Sequence, residues 1–84
     1  MAETYTLKHP IETKDGLITE LTLREPVARD IRGLPVLVEH QTWGHQFELL
    51  AALTAQPLRV INELHGEDAL ELVTLVQKKL APGP

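Results

Sequence analysis

The longest apolar stretch of the chain runs from Gly44 to Leu64, GHQFELLAALTAQPLRVINEL, and its first part has a helical pattern. On a helical wheel Phe47, Leu49, Leu50 and Leu53 share one broad arc. Ala51, Ala52 and Ala55 lie behind them, and only Gln46, Glu48 and Thr54 interrupt. Thr42 is placed to cap this helix. The break comes at Gln56-Pro57, and Pro57 opens a shorter amphipathic helix carrying Leu58, Val60, Ile61 and Leu64, with His65 and Gly66 at its end. A helix apolar round so much of its circumference is normally covered on more than one side, and 84 residues supply little cover.

Before this stretch the period is two. Tyr5, Leu7 and His9 alternate with Thr4, Thr6 and Lys8, and Pro10 weakens further ladder pairing on that side. Asp15-Gly16 marks a tight turn, since glycine accepts positive φ. The return strand runs from Leu17 to Arg24, with Leu17, Leu21 and Leu23 on one face and Ile18, Glu20, Thr22 and Arg24 on the other. Pro26 then begins a short helix whose stripe is Val27, Ile31 and Leu34, ended by Gly33 and Pro35. Val36-Leu37-Val38 is too short for periodicity to separate a strand from an irregular connection.

The last helix starts at Glu67-Asp68 and finishes at Lys78-Lys79, charges that suit the two ends of its dipole. Ala69, Leu72, Val73, Val76 and Leu80 form its core stripe, Leu70 lies at the edge and Leu75 well off it. The pattern predicts one α+β domain over residues 1–84, an N-terminal β-hairpin packed on three or four short helices. The hairpin occupies 1–24, the helical part 25–80 and a disordered tail 81–84.

Composition narrows the function. The chain has neither cysteine nor serine, which removes a disulfide framework, thiolate zinc sites and the commonest nucleophile–base pairs. No phosphate-cradling glycine loop occurs, so neither catalytic nor cofactor-binding residues are expected. His40 and His45 are five apart, which does not stack them on one helical face, and His9 and His65 are distant in sequence. No metal ligand is therefore expected, and His65 is read as a cap at a helix C-terminus. A net charge of −4 disfavours general nucleic-acid binding. A helix-turn-helix regulator built from the last two helices is the weaker alternative, because Glu67, Asp68 and Glu71 would meet phosphate. No run approaches the roughly 20 apolar residues of a membrane span, and Met1 to Tyr5 lacks the character of a secretory signal. A soluble intracellular protein is expected. Apolar recognition is left. Trp43, Leu49, Ala52, Leu53 and Leu75 are the candidate partner-binding surface, unless the hairpin or a second copy covers them.

Three segments carry a resemblance. ITELTLREPVARDI from Ile18 to Ile31, LLAALTAQPLRVINEL from Leu49 to Leu64 and the Asp68-containing start of the last helix resemble the small tail assembly chaperones of long-tailed bacteriophages and prophages, particularly the Mu-like tail assembly group. In that family a strand pair ending in TLR-x-P leads into a helix with an acidic residue, here Asp30. An LxxxLT-x-x-P segment follows, here Leu50 to Pro57, and an aspartate stands at the next helix start. The stretch Pro35 to His45 departs from any pattern of the family, and Gln56 stands where glycine is common. The resemblance implies a non-enzymatic chaperone that binds the tape measure protein before the tail tube polymerises. It implies action in the cytoplasm of the bacterial host and absence from the mature virion. The tail tube protein, a frameshift-extended form of the same chain and a second copy are the further partners it implies. Lys78-Lys79 is where an A-rich slippery run would lie. A structural tail or baseplate subunit retained in the virion is the alternative.

Overall fold

The computed structural model describes residues 2–80, and the tail expected at 81–84 lies outside them. Strands β1 (Glu3–Thr13) and β2 (Gly16–Leu23) form an antiparallel hairpin. Helices α1 (Ala28–Ile31), α2 (Trp43–Thr54), α3 (Leu58–Ile61) and α4 (Gly66–Leu80) follow, with a 3-10 turn at Val38–His40 before α2. The architecture is α+β, as the pattern predicts. The hairpin lies against α2 and α4, and its inner side chains Leu7, Ile11, Leu21 and Leu23 meet Leu49, Leu50, Leu53, Ile61, Leu72 and Val76 in one core. No helix among the described residues is long and apolar enough to cross a membrane.

The turn is Lys14-Asp15, one residue earlier than the sequence suggests. Gly16 begins β2 with φ of 125°, a conformation closed to side-chain-bearing residues, so glycine is still required. The Thr13 hydroxyl braces the turn by donating to the Gly16 carbonyl at 2.7 Å and accepting the Asp15 N–H at 3.2 Å.

The hairpin's register slips in the middle. Glu3 to Thr6 pair with Leu23 to Glu20, and then Ile11 pairs with Ile18, so four residues of β1, Leu7 to Pro10, stand opposite Thr19. Proline has no N–H to offer a ladder and fits such a bulge. The slip is by an odd number of residues, which exchanges the faces of β2 beyond it. Leu17, placed on the apolar face by simple alternation, is exposed, and Ile18 turns to the core in its place.

The bulge frees the N–H groups of Lys8 and His9, and one side chain takes both. Asp68, in the first turn of α4, has no exposed surface. Its Oδ1 accepts the Lys8 N–H and its Oδ2 the His9 N–H, each at 3.0 Å. The Tyr5 hydroxyl lies 2.9 Å from Asp68 Oδ1 and 2.6 Å from Glu71 Oε2, one proton facing two carboxylates. Burial alone would raise the Asp68 carboxyl. The Lys8 N–H, the Tyr5 hydroxyl and the His9 N–H outweigh it and hold the group below the usual carboxylate range. The Tyr5 hydroxyl is pushed well above its ordinary value, first by burial and then by Glu71 and Asp68. At the far end of α4 the Lys79 ammonium lies 3.5 Å from Glu3 and 3.2 Å from Glu25, which ties the helix to the base of the hairpin.

Helix α2 begins as predicted at Thr42. The Thr42 hydroxyl accepts the His45 N–H at 3.2 Å, and the Thr42 N–H donates to His45 Nδ1 at 2.9 Å, a capping box with imidazole in the place of glutamate. It ends with Ala55 in the left-handed region at φ 57°, where the N–H of Gln56 reaches the Ala51 carbonyl at 3.1 Å and that of Ala55 the Ala52 carbonyl at 3.4 Å. This Schellman closure usually places glycine at the left-handed position. The strained residue is thus Ala55 and not Gln56. His65 does not close α3. It opens α4, its carbonyl accepting the Ala69 N–H at 2.9 Å and its Nδ1 the Glu67 N–H at 3.1 Å.

Two stability measurements follow. Ala55→Gly relieves left-handed strain and is expected to raise the unfolding free energy by about 1 kcal/mol in urea titration. Asp68→Ala strands two backbone donors under the hairpin, the Tyr5 hydroxyl keeping Glu71, and is expected to lower it by about 3 kcal/mol, with loss of amide protection at Lys8 and His9 in hydrogen exchange.

Candidate functional site

The residues linking the hairpin to α2 have little core to enter, and their positions are set by polar contacts. Arg24, just past β2, anchors its backbone by donating its N–H to the Leu53 carbonyl at the end of α2, 3.1 Å away. Its guanidinium grips Asp30 of α1 in a two-pronged ion pair, Nη1 to Oδ2 at 2.7 Å and Nη2 to Oδ1 at 2.8 Å. Asp30 Oδ2 also accepts the Val27 N–H at 2.8 Å, which holds the start of α1. The Asp30 side chain is 4% exposed. Arg24 first, and then the Val27 N–H, pull its carboxyl down to about 2. Downstream, Gln41 Nε2 donates to the Pro35 carbonyl at 3.1 Å, and Gln46 Nε2 of α2 donates to Gln41 Oε1 at 2.7 Å. This amide relay fastens the connection to the first turns of α2. Gln46 is buried, and its Oε1 has no hydrogen-bond partner.

A run of exposed apolar side chains is displayed on this frame. Val27, Ile31, Val36, Leu37 and Trp43 account for five of the eight large hydrophobic residues exposed among those described, and Val36 is 96% exposed. The amphipathic stripe expected on α1 is therefore not a core stripe. The helix has a single turn, none of its residues is buried, and only Leu34 beyond it packs on the core. Val36-Leu37 is irregular backbone running into the 3-10 turn. Trp43, 56% exposed, leans on Phe47 with ring centroids 6.1 Å apart and planes at 48°. Beside it Gln46, Val73 and Gln77 continue a shallow depression between α2 and α4.

The residues singled out from the sequence do not converge. Leu49 and Leu53 are each 2% exposed and belong to the core, a correction with a plain cause: β2, α3 and α4 all pack on α2, so its greasy arc is covered within one chain. Ala52 is exposed, but nine residues on from Trp43 it lies half a turn round the helix and about 14 Å along it. Leu75 is half-buried and lines a separate groove between β1 and α4 with Tyr5 and Leu70. Sequence reasoning missed Val27, Ile31, Val36 and Leu37. The available signal was a run of apolar residues among Gly33, Pro35 and charges, too short to form a core element.

Compared with known protein families, residues 4–80 match the model described as phage tail assembly chaperone proteins, E, or 41 or 14. The chain belongs to this phage tail assembly chaperone family. Neither a curated protein nor a solved structure gives a match. The residues that carried the resemblance now have physical roles. In this chaperone Arg24, Asp30 and Asp68 are joints of the frame, and the exposed apolar residues Val27, Ile31, Val36, Leu37 and Trp43 stand outside the core. The family's general role, assisting tail assembly, is that of a chaperone rather than an enzyme.

The Arg24–Asp30 joint has a pH signature. Asp30 is depressed in the folded chain, so its stabilisation is complete above the ordinary carboxyl value near 4 and is lost as pH falls through about 2. Asp30→Asn is expected to cost about 2 kcal/mol at pH 7, and the gap to the unaltered protein should close by about pH 2 in denaturant titrations across that range.

Proposed function

We propose that this chaperone covers apolar helical segments of the tape measure protein during tail morphogenesis, using the surface formed by Val27, Ile31, Val36, Leu37 and Trp43. The single observation that carries the proposal is the confinement of these five exposed side chains to residues 27–43, while the rest of the chain hides most of its large apolar residues. A branched aliphatic surface with one tryptophan suits the apolar face of an amphipathic helix. Each such side chain covered by a client contributes roughly 1.5–3 kcal/mol of transfer free energy. The net charge of −4 favours solubility of the loaded complex. The place of action in this reading is the host cytoplasm before the tube closes, with no copy carried into the virion.

The retained-subunit alternative separates from it by composition: a stoichiometric amount of this chain in purified virions would favour a structural role. A helix-turn-helix role finds little support. α3 is a single turn, and the start of α4 is held under the β1 bulge by Asp68, where a recognition helix would have to meet DNA.

The surface is tested by charge. Leu37→Asp with Trp43→Asp is expected to leave the circular dichroism spectrum and melting temperature nearly unchanged and to reduce co-purification of the tape measure protein at least tenfold. Leu49→Glu, which places a carboxylate in the core, is expected to unfold the chain. Full tape measure capture by the double variant would overturn the assignment of the surface.

A further inference from the structure

We propose that His9, His65 and Glu67 bind a divalent transition-metal ion, with Zn2+ the best match. The site is independent of the apolar surface. The three residues are scattered in sequence, but the fold draws them together until one ligand atom from each lies within 4.8 Å of the others. The imidazoles of His9 and His65 are stacked, with centroids 3.7 Å apart and planes at 17°. His9 Nε2 is 3.0 Å from Glu67 Oε1. All three residues are exposed, so an ion can reach them from solvent.

The backbones that carry the ligands are fixed before any ion arrives. His9 sits in the β1 bulge with its N–H on Asp68 Oδ2, and Glu67 is the residue before Asp68. His65 is held through its carbonyl by the Ala69 N–H. Only side-chain rotation is left. In a tetrahedral site with metal–nitrogen distances of about 2.0–2.1 Å the two ring planes converge on the ion, so the rings open out of their stack. Glu67 is free to turn, because Lys8, 3.5 Å from its Oε2, has a shorter contact of 2.7 Å with Glu71. The ion takes the place of the proton in the His9–Glu67 contact, and water completes the coordination.

The donor set selects the ion. Two imidazoles and one carboxylate suit zinc and its first-row neighbours. Calcium and magnesium want more oxygen ligands, and copper(I) wants sulfur. The bound ion would pin the bulge of β1 to the start of α4 from outside, beside the buried Asp68 contact.

The test is calorimetric titration of the full chain, carrying no polyhistidine tag, with zinc chloride in a buffer that does not chelate it. One equivalent per chain is expected. His65→Ala and Glu67→Gln are each expected to weaken binding at least tenfold, while His40→Ala, remote in sequence, leaves it unchanged. Nitrogen-15 spectra of the imidazoles should show the His9 and His65 rings, and not that of His40, shifting on saturation. Should the unaltered chain give no saturable heat, or should His65→Ala bind as the unaltered chain does, the site is refuted.

Discussion

The fold depends on a carboxylate buried at the point where two backbones would otherwise fail. A two-stranded ribbon is marginal by itself, and this one carries a bulge that removes the Lys8 and His9 amides from the ladder. Left in an apolar interior these donors would work against folding. Asp68 meets both, and it does so from the first turn of α4, where the helix dipole favours a negative charge. The bulge and the helix start therefore need each other. Without Asp68 the bulge is a defect, and without the bulge Asp68 is a buried charge left with the Tyr5 hydroxyl alone. The same contact fixes which way α4 runs beneath the hairpin, and so sets Leu72 and Val76 against Leu21 and Leu23 in the core.

Much of this was legible in the chain. The Thr42 cap, the helix from Trp43 and the stripe of α4 each follow from local periodicity and end signals and stand where the pattern puts them, and the hairpin is present with its turn one residue early. Leu17 and Ile18 show where that reasoning stops. Alternation is a local rule, and a slip in the opposite strand overrides it through a register no single strand can reveal. Leu49 and Leu53 show a different limit. The apolar circumference of α2 is plain in its residues, but no local pattern tells whether the rest of the chain wraps it. Single-turn α3, the hairpin and α4 between them supply the cover. Of the residues the pattern singles out, Trp43 and Ala52 are exposed, while Leu49 and Leu53 lie in the core.

The family's recurring residues were also legible, while their purpose was not. From the sequence Arg24 is a polar position on the outer face of the return strand, Asp30 an acidic residue of a short helix, and Asp68 an ordinary dipole-complementing acid. Their depth is what changes the reading. Asp30 has a side chain 4% exposed beneath a two-pronged guanidinium, and Asp68 is fully enclosed. Charges so placed do little for a client. They set the angle between hairpin, α1 and α4.

This separation bears on how such a protein recognises a client. A frame held by buried carboxylates and capped helix ends tolerates change in whatever it displays, because the displayed residues add little to the core. The connection from Pro35 to His45 is fastened at its ends, by the Gln41–Pro35 contact and the Thr42–His45 cap, while Val36 and Leu37 between them face solvent. Loops of this kind can vary in sequence at small cost in stability. In this chain Val27, Ile31, Val36, Leu37 and Trp43 are displayed on that frame without entering its core. That arrangement leaves the displayed surface open to change while the scaffold stays, and it moves the search for a binding surface from α2 to the segment preceding it.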